Sequence, residues 1–75
     1  MTRYFLKRGT DNTIVCSSND ASVSAMLLND GFVMIGKRDA AIILRMDASC
    51  VFHQAYFDSR KKVIFERMFE NEKNL

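Results

Sequence analysis

The sequence predicts a small α+β domain ordered β-β-α-β-α, in which a three-stranded sheet packs against a short helix and a long C-terminal helix. Residues 2–17 hold two strand-like segments around a turn, and residues 18–31 hold a short segment with helical periodicity. Residues 40–57 are largely apolar and contain no glycine or proline. The 75 residues are expected to form a single domain, residues 1–75. A chain this short buries only about 60% of its unfolded surface, so a protein partner or oligomerisation is expected to supplement the core.

Residues 2–17 are predicted to form a β-hairpin. In the segment RYFLKR, Tyr4 and Leu6 alternate with Phe5 and Lys7, and TIVCS is rich in β-branched residues. The segment GTDN between them contains residues that favour turns. The two strands are therefore expected to pair with each other.

A short helix is predicted to follow this hairpin. Asp20 or Ser18 can cap its first turn by accepting hydrogen bonds from free backbone N–H groups. Three apolar residues then share one helical face, Val23, Met26 and Leu27. Gly31 is the expected left-handed stop, which gives a helix of about ten residues.

The segment FVMIG, residues 32–36, is predicted to be the third strand, beside the hairpin. Its bulky apolar residues do not alternate with polar ones, which is typical of a strand whose neighbours or faces are covered. A helix between the second and third strands allows a parallel pairing with a right-handed crossover. The sequence leaves open which strand it joins.

Residues 37–71 are predicted to form one long helix, with a frayed tail at 72–75, and a kink or break near Asp58 is left open. Thirteen of the eighteen residues from 40 to 57 are apolar, and strands rarely exceed about ten residues. Asp39 is the expected N-cap. The alternative is two hairpins, FVMIG/KRD/AAIILRM and CVFHQAYF/DSRKK/VIFERMF, which the β-branched residues favour.

The second half of this helix is the predicted partner-binding site. A helix of about 30 residues spans about 45 Å, which is longer than a three-stranded sheet can cover. Its apolar face would bury against a protein, either a second copy in a homodimer or a host protein, and its cations would steer an acidic surface towards it. The candidate residues are Phe57, Arg60, Lys61, Lys62, Ile64, Phe65, Met68 and Phe69.

Nucleic-acid binding is the alternative function, that of a small regulatory protein. The eleven basic and nine acidic residues give a net charge of +2, which is a small basic excess for a nucleic-acid binder. In a helix, Lys62 would also lie one turn from Asp58 and from Glu66, which would neutralise its charge. The basic residues of this alternative are Lys7, Arg8, Lys37, Arg38 and those at 60–62.

Catalysis and metal binding are not expected. Cys50 and His53 would share a helical face with Asp47, but no second acid–base group or glycine-rich loop accompanies them. Paired, closely spaced cysteines and histidines, which are typical of zinc sites, are also missing. The sequence therefore predicts a protein that is not an enzyme and has no cofactor and no metal.

The cytoplasm is the expected location, because no secretory signal opens the chain. No membrane span is expected either, because Arg45, Asp47 and His53 interrupt the most apolar segment. Chains of this size and architecture often occur in phages or mobile elements as accessory proteins. The predicted function is therefore a protein-interaction module that binds and inhibits a host factor.

Overall fold

The structure, a computed structural model, describes residues 1–67 as one five-stranded mixed sheet with a helix on each face. The elements in chain order are β1 (Arg3–Arg8), β2 (Thr13–Ser18), α1 (Ala21–Asn29), β3 (Val33–Ile35), α2 (Lys37–Met46), β4 (Cys50–Phe57) and β5 (Val63–Arg67). The strands lie in the order β3-β1-β2-β4-β5. We call the side of the sheet that carries α1 face 1 and the side that carries α2 face 2.

The sheet combines three antiparallel pairings with one parallel pairing. β1 pairs antiparallel with both β2 and β3, and β4 pairs antiparallel with β5. β2 and β4 are parallel, with Cys16 opposite His53. The expected parallel pairing therefore exists, but it joins β2 to β4 and does not involve the third strand.

The hairpin and the short helix that the sequence predicted are confirmed. The Asp20 carboxylate caps α1 by accepting from the backbone N–H groups of Ser22, at 2.8 Å, and Val23, at 3.0 Å. Gly31 follows the helix with a φ of 95°, which is the left-handed conformation expected of it. These elements depend on local sequence signals, which tertiary packing did not override.

Each helix covers its own apolar core. Val23 and Leu27 of α1 pack on face 1, where the other buried members of the cluster are Phe5, Cys16, Phe32 and Ala55. Ala40 of α2 packs on face 2, against Val15 and Cys50. Because Val15 and Cys16 are adjacent in β2 and both are fully buried, this central strand is covered on its two faces.

The predicted long helix at 37–71 is wrong. Between residues 37 and 67, only Lys37–Met46 is helical, and the helix begins after Gly36 and not at Asp39. The end of the predicted helix at 68–71 and the frayed tail at 72–75 lie outside the described residues. The chain then forms β4 and β5, so that the three-stranded sheet of the prediction is replaced by five strands. Neither helix within residues 1–67 is long and apolar enough to cross a membrane.

Burial of β4 on both faces explains why the sequence resembled a helix. Cys50 and Phe52 pack on face 2, whereas Ala55 and Phe57 pack on face 1. A strand covered on both faces needs apolar residues in both directions, so it does not alternate between apolar and polar. The alternative of two hairpins is thus partly right: the second hairpin forms, whereas α2 stands in place of the second strand of the first hairpin.

A tight turn joins β4 to β5. The Asp58 carboxylate accepts from the backbone N–H groups of Arg60, at 2.9 Å, and Lys62, at 3.0 Å. The Lys61 N–H donates to the Asp58 carbonyl at 3.0 Å, and Lys61 has a φ of 60°. The Asp58 N–H also donates to the Lys62 carbonyl at 3.1 Å, so the loop proper is residues 59–61, a three-residue hairpin loop with a left-handed residue at its end.

The third strand is confirmed beside the hairpin, but its expected coverage is wrong. β3 has three residues, pairs with β1 and forms one edge of the sheet. Val33 is 62% exposed, and Met34 is also exposed. Shortness limits the row of backbone groups that this edge offers to other chains.

The left-handed conformation of Lys61 gives a test of the hairpin. Lys61→Gly should increase the free energy of unfolding by about 0.5–1 kcal/mol, because glycine adopts this conformation without steric cost. In a helix the same change would lower it by about 1 kcal/mol. Urea unfolding measures the difference. Lys62→Gly is the matched control and should bring no gain; stabilisation by both changes would contradict the turn.

The buried thiol of Cys16 predicts a loss of stability at alkaline pH. Burial raises the pKa of Cys16 to about 12, so the folded state keeps a proton that the unfolded state releases above about pH 8.5. Stability from this group is complete below that pH and is lost, by roughly 1.4 kcal/mol per pH unit, as the pH rises towards 12. Urea unfolding from pH 8 to 10 should show a steeper decline for the natural chain than for Cys16→Ala; parallel declines would contradict this.

Candidate interaction site

A small apolar cleft lies on face 1, beyond the C-terminal end of α1. It has a volume of about 220 Å³, and its lining residues are Lys7, Gly9, Ile14, Asp30, Phe32, His53 and Phe65. We call it the aromatic cleft. Ile14 and His53 come from β2 and β4, Phe65 comes from β5, and Phe32 comes from the segment that follows α1.

The end of α1 places Phe32 in this cleft. The Phe32 N–H donates to the Leu27 carbonyl at 3.0 Å, and the Gly31 N–H donates to the Leu28 carbonyl at 3.2 Å. This pair of bonds is the Schellman motif, which turns the chain back across its own helix. The Phe32 side chain consequently packs with Leu27 in the core of face 1 and is only 5% exposed.

Aromatic rings form the wall of the cleft on the side of β5. The rings of Phe32 and Phe65 stack with their centroids 6.2 Å apart and an angle of 27° between their planes. The ring of His53 lies 5.6 Å from that of Phe65 at an angle of 59°. Phe65 is still 41% exposed, so much of its apolar surface faces solvent at the edge of the cleft.

Lys7 and Asp30 form the polar rim. The Lys7 ammonium donates to the Asp30 carbonyl at 2.9 Å and lies 3.5 Å from its carboxylate. It also sits 5.4 Å from the centre of the Phe32 ring, within range of a cation–π interaction. Because both side chains are exposed, the ion pair contributes at most about 1 kcal/mol. Breaking this ion pair therefore costs little free energy, so the rim can offer a hydrogen-bond donor and an acceptor to a bound molecule.

The structure separates the residues of the predicted partner-binding site. Phe57 packs against the core of face 1, Phe65 lines the aromatic cleft, and Ile64 lies on face 2. Met68 and Phe69 lie outside the described residues. A helical spacing had placed these apolar residues on one face, but a strand sends neighbours such as Ile64 and Phe65 to opposite faces.

The basic residues of the predicted partner-binding site occupy the turn between β4 and β5. Arg60, Lys61 and Lys62 are all exposed there, at the end of the sheet opposite the aromatic cleft. The expected helical pairing of Lys62 with Glu66 does not form, because Glu66 lies four residues further along an extended chain. These cations therefore do not flank Phe65 as the sequence had suggested.

Cys50 and His53 do not face each other as they would on a helix. They are three residues apart in β4, so the thiol faces the core of face 2 and the imidazole faces face 1. Asp47 binds the Ser49 hydroxyl at 2.6 Å and the Ser49 N–H at 2.9 Å, and these bonds lower the pKa of its carboxyl. Residues 1–67 contain no cluster of three or more potential metal ligands.

Sequence reasoning identified Phe65 but missed the other walls of the aromatic cleft. Ile14 and His53 reach it only through the parallel pairing of β2 with β4, which has no local sequence signal. Phe32 did have one: it directly follows the predicted helix-ending glycine, where an apolar residue commonly packs back on the last turn.

Gly31 is expected to stabilise the end of α1, which places Phe32 in the cleft. Gly31→Ala should lower the free energy of unfolding by about 1–2 kcal/mol, because an L-residue is strained at this φ. Gly31→Asn should cost less, since asparagine adopts the left-handed conformation more readily. Urea unfolding compares the two variants. An alanine variant as stable as the natural chain would contradict the left-handed conformation of Gly31.

The chain matches no protein-family model, no curated protein and no solved structure in comparisons with known proteins.

Proposed function

We propose that this chain is a non-enzymatic protein-interaction module that binds another protein by taking one apolar side chain into the aromatic cleft. The observation that carries the proposal is an open apolar cleft beside Phe65, whose ring is partly exposed. Aromatic side chains exposed at the edge of a pocket are typical anchors of protein interfaces.

The size of the cleft favours a single side chain over a larger ligand. Pockets for drug-sized molecules and cofactors usually have volumes of about 300–1,000 Å³. The aromatic cleft has about 220 Å³, whereas an engineered cavity of about 150 Å³ already holds benzene. One aromatic or branched aliphatic side chain therefore fits, and the Lys7–Asp30 rim can bind the polar backbone that carries it.

The energy available from this contact is small, so it supports a focused anchor within a wider interface. Full burial of a large apolar side chain contributes about 1.5–3 kcal/mol. Covering the exposed part of Phe65 adds a fraction of that amount. Affinity would thus depend on the surroundings of the cleft as well, which include the edge strand β5.

Two narrower expectations stay predictions. Inhibition of a host factor was expected from size and architecture alone. Homodimerisation was expected from an apolar helix that does not form. The occupant proposed for the cleft is a different protein and not a second copy of the chain.

The test uses peptides selected from a random library against the natural chain. Selected peptides should share one aromatic or branched aliphatic anchor, and Phe65→Asp should weaken their binding at least tenfold in fluorescence anisotropy, which corresponds to about 1.4 kcal/mol. Tyr56→Asp is the matched control. Tyr56 is 42% exposed on the neighbouring strand but lies on face 2, so its replacement should leave binding unchanged.

Two results would contradict the proposal. One is equal loss of binding in the Phe65 and Tyr56 variants, which would mean that the cleft is not the site. The other is a dimer of the natural chain, detected by light scattering, that Phe65→Asp converts to monomer. That result would make a second copy of the chain the occupant. Circular dichroism should confirm that each variant is folded.

A further inference from the structure

The topology gathers separate basic segments at one end of the sheet. The paired registers place the start of β1, the end of β3 and the turn after β4 at the same end. The cations found there come from three separate parts of the sequence and are Arg3, Lys37, Arg38, Arg60, Lys61 and Lys62. We call this surface the basic end.

The cations of the basic end are exposed, and most have no acidic partner within the described part of the chain. Among the side chains that the structure describes, ion pairs form only between Lys7 and Asp30 and between Arg60 and Asp58. Three acids lie at the basic end, and Glu66 of β5 is level with Tyr4, one residue further inside the sheet than Arg3. Two of the three already bind backbone N–H groups: Asp20 caps α1, and Asp58 holds the turn. The third, Asp39, lies in the first turn of α2.

The opposite end of the sheet has no such excess. Its described cations are matched in number by its acids, and these residues are Lys7, Arg8, Arg45, Asp11, Asp30 and Asp47. The net charge of +2 for the whole chain therefore conceals an uneven distribution. A positive potential concentrated at one end steers anionic partners towards that end.

The shape of the basic end is a projecting hairpin beside a groove. The pairing of β4 with β2 stops at Gln54, whereas β4 continues to Phe57, so the turn begins about 10 Å beyond the last paired residue. Phe57 and Val63, at the base of the turn, pack on face 1. Tyr56 is exposed on it. A groove of about 430 Å³ lies at the other side of this end, and Arg3 and Lys37 line it.

We propose that the basic end binds the phosphodiester backbone of nucleic acid. The cations extend across four inter-strand spacings, about 19 Å in all, which suits phosphates on both sides of a groove better than a single carboxylate. A two-stranded β-ribbon fits the major groove of duplex DNA, which is about 12 Å wide. Lys61 and Lys62 at the tip and Lys37 and Arg38 at the flank would each neutralise a phosphate.

The hairpin separates Lys62 from Glu66, an acidic residue that a helix would have placed one turn away. In a helix, Lys62 would face Glu66 and lose much of its effect on phosphates. In the hairpin, Glu66 lies about 13 Å further along the extended chain. Within residues 1–66, the acid nearest to the basic turn is Asp58, whose carboxylate is held by the turn itself.

Salt-dependent binding to a short DNA duplex tests the proposal. Each phosphate contact adds about −0.9 to the slope of log K against log salt, so the five cations without an acidic partner give a slope of at most about −4.5. The double variant Lys61→Asn, Lys62→Gln should weaken binding at least tenfold at about 50 mM salt and make the slope shallower by about 2. Asparagine at 61 keeps the left-handed turn. Fluorescence anisotropy measures both quantities.

The matched control removes the same charge from the opposite end. Arg8→Gln with Arg45→Gln should leave the slope unchanged and the affinity within about threefold, since only the general positive field is reduced. Phe65→Asp should also leave binding to DNA unchanged, which separates this inference from the function proposed for the aromatic cleft. A single strand of the same sequence shows whether the backbone or the duplex shape is recognised.

Three outcomes would overturn the proposal. One is no binding of the natural chain to either form of DNA at about 50 mM salt. Another is that the two double variants weaken binding equally, which would mean that net charge alone accounts for the affinity. The third is stronger binding to vesicles that contain phosphatidylserine, or to an acidic polypeptide such as polyglutamate, than to DNA at equal salt.

Discussion

The parallel pairing of β2 with β4 determines how the rest of the chain is arranged. A chain that leaves one end of β2 must return to the opposite end before it can begin a parallel strand. Here the return takes three passes: α1 on face 1, β3 at the edge of the sheet and α2 on face 2. Because β3 lies at the edge beside β1, the chain changes faces around that edge, and each face receives one helix.

One short helix on each face covers the middle of the sheet but not all five strands. A helix is about 10 Å wide, whereas five strands span about 19 Å between the first and the last. The helices bury Val15 and Cys16 at the centre, and the outer part of the β4–β5 hairpin stays partly open on both faces. Phe65 on face 1 and Tyr56 on face 2 are exposed for this reason. The aromatic cleft is thus a direct result of the limited area that α1 covers.

The sequence predicted those elements whose signals are local. The turn residues of the first hairpin, the Asp20 cap and Gly31 each act within a few residues, and all three predictions are confirmed. The prediction is wrong after Met46, because a strand buried on both faces has no alternating pattern and its sequence resembles a continuation of the helix. Asp47 and Asp58, each with a serine within the next two residues, marked the actual breaks in the chain. The aromatic cleft was only partly predictable, since its walls meet through long-range pairing.

The uneven charge of the molecule follows from the same topology. Both faces of the central sheet are needed for the core, so the basic residues are confined to strand ends, turns and the outer surfaces of helices. β3 and β4 run in the same direction, because β3 is antiparallel to β1, β1 is antiparallel to β2, and β4 is parallel to β2. The connections that follow β3 and β4 must therefore lie at one end, and both are basic in this sequence. A nearly neutral composition can in this way place an excess of positive charge at one end of the molecule, which a count of charges along the chain does not reveal.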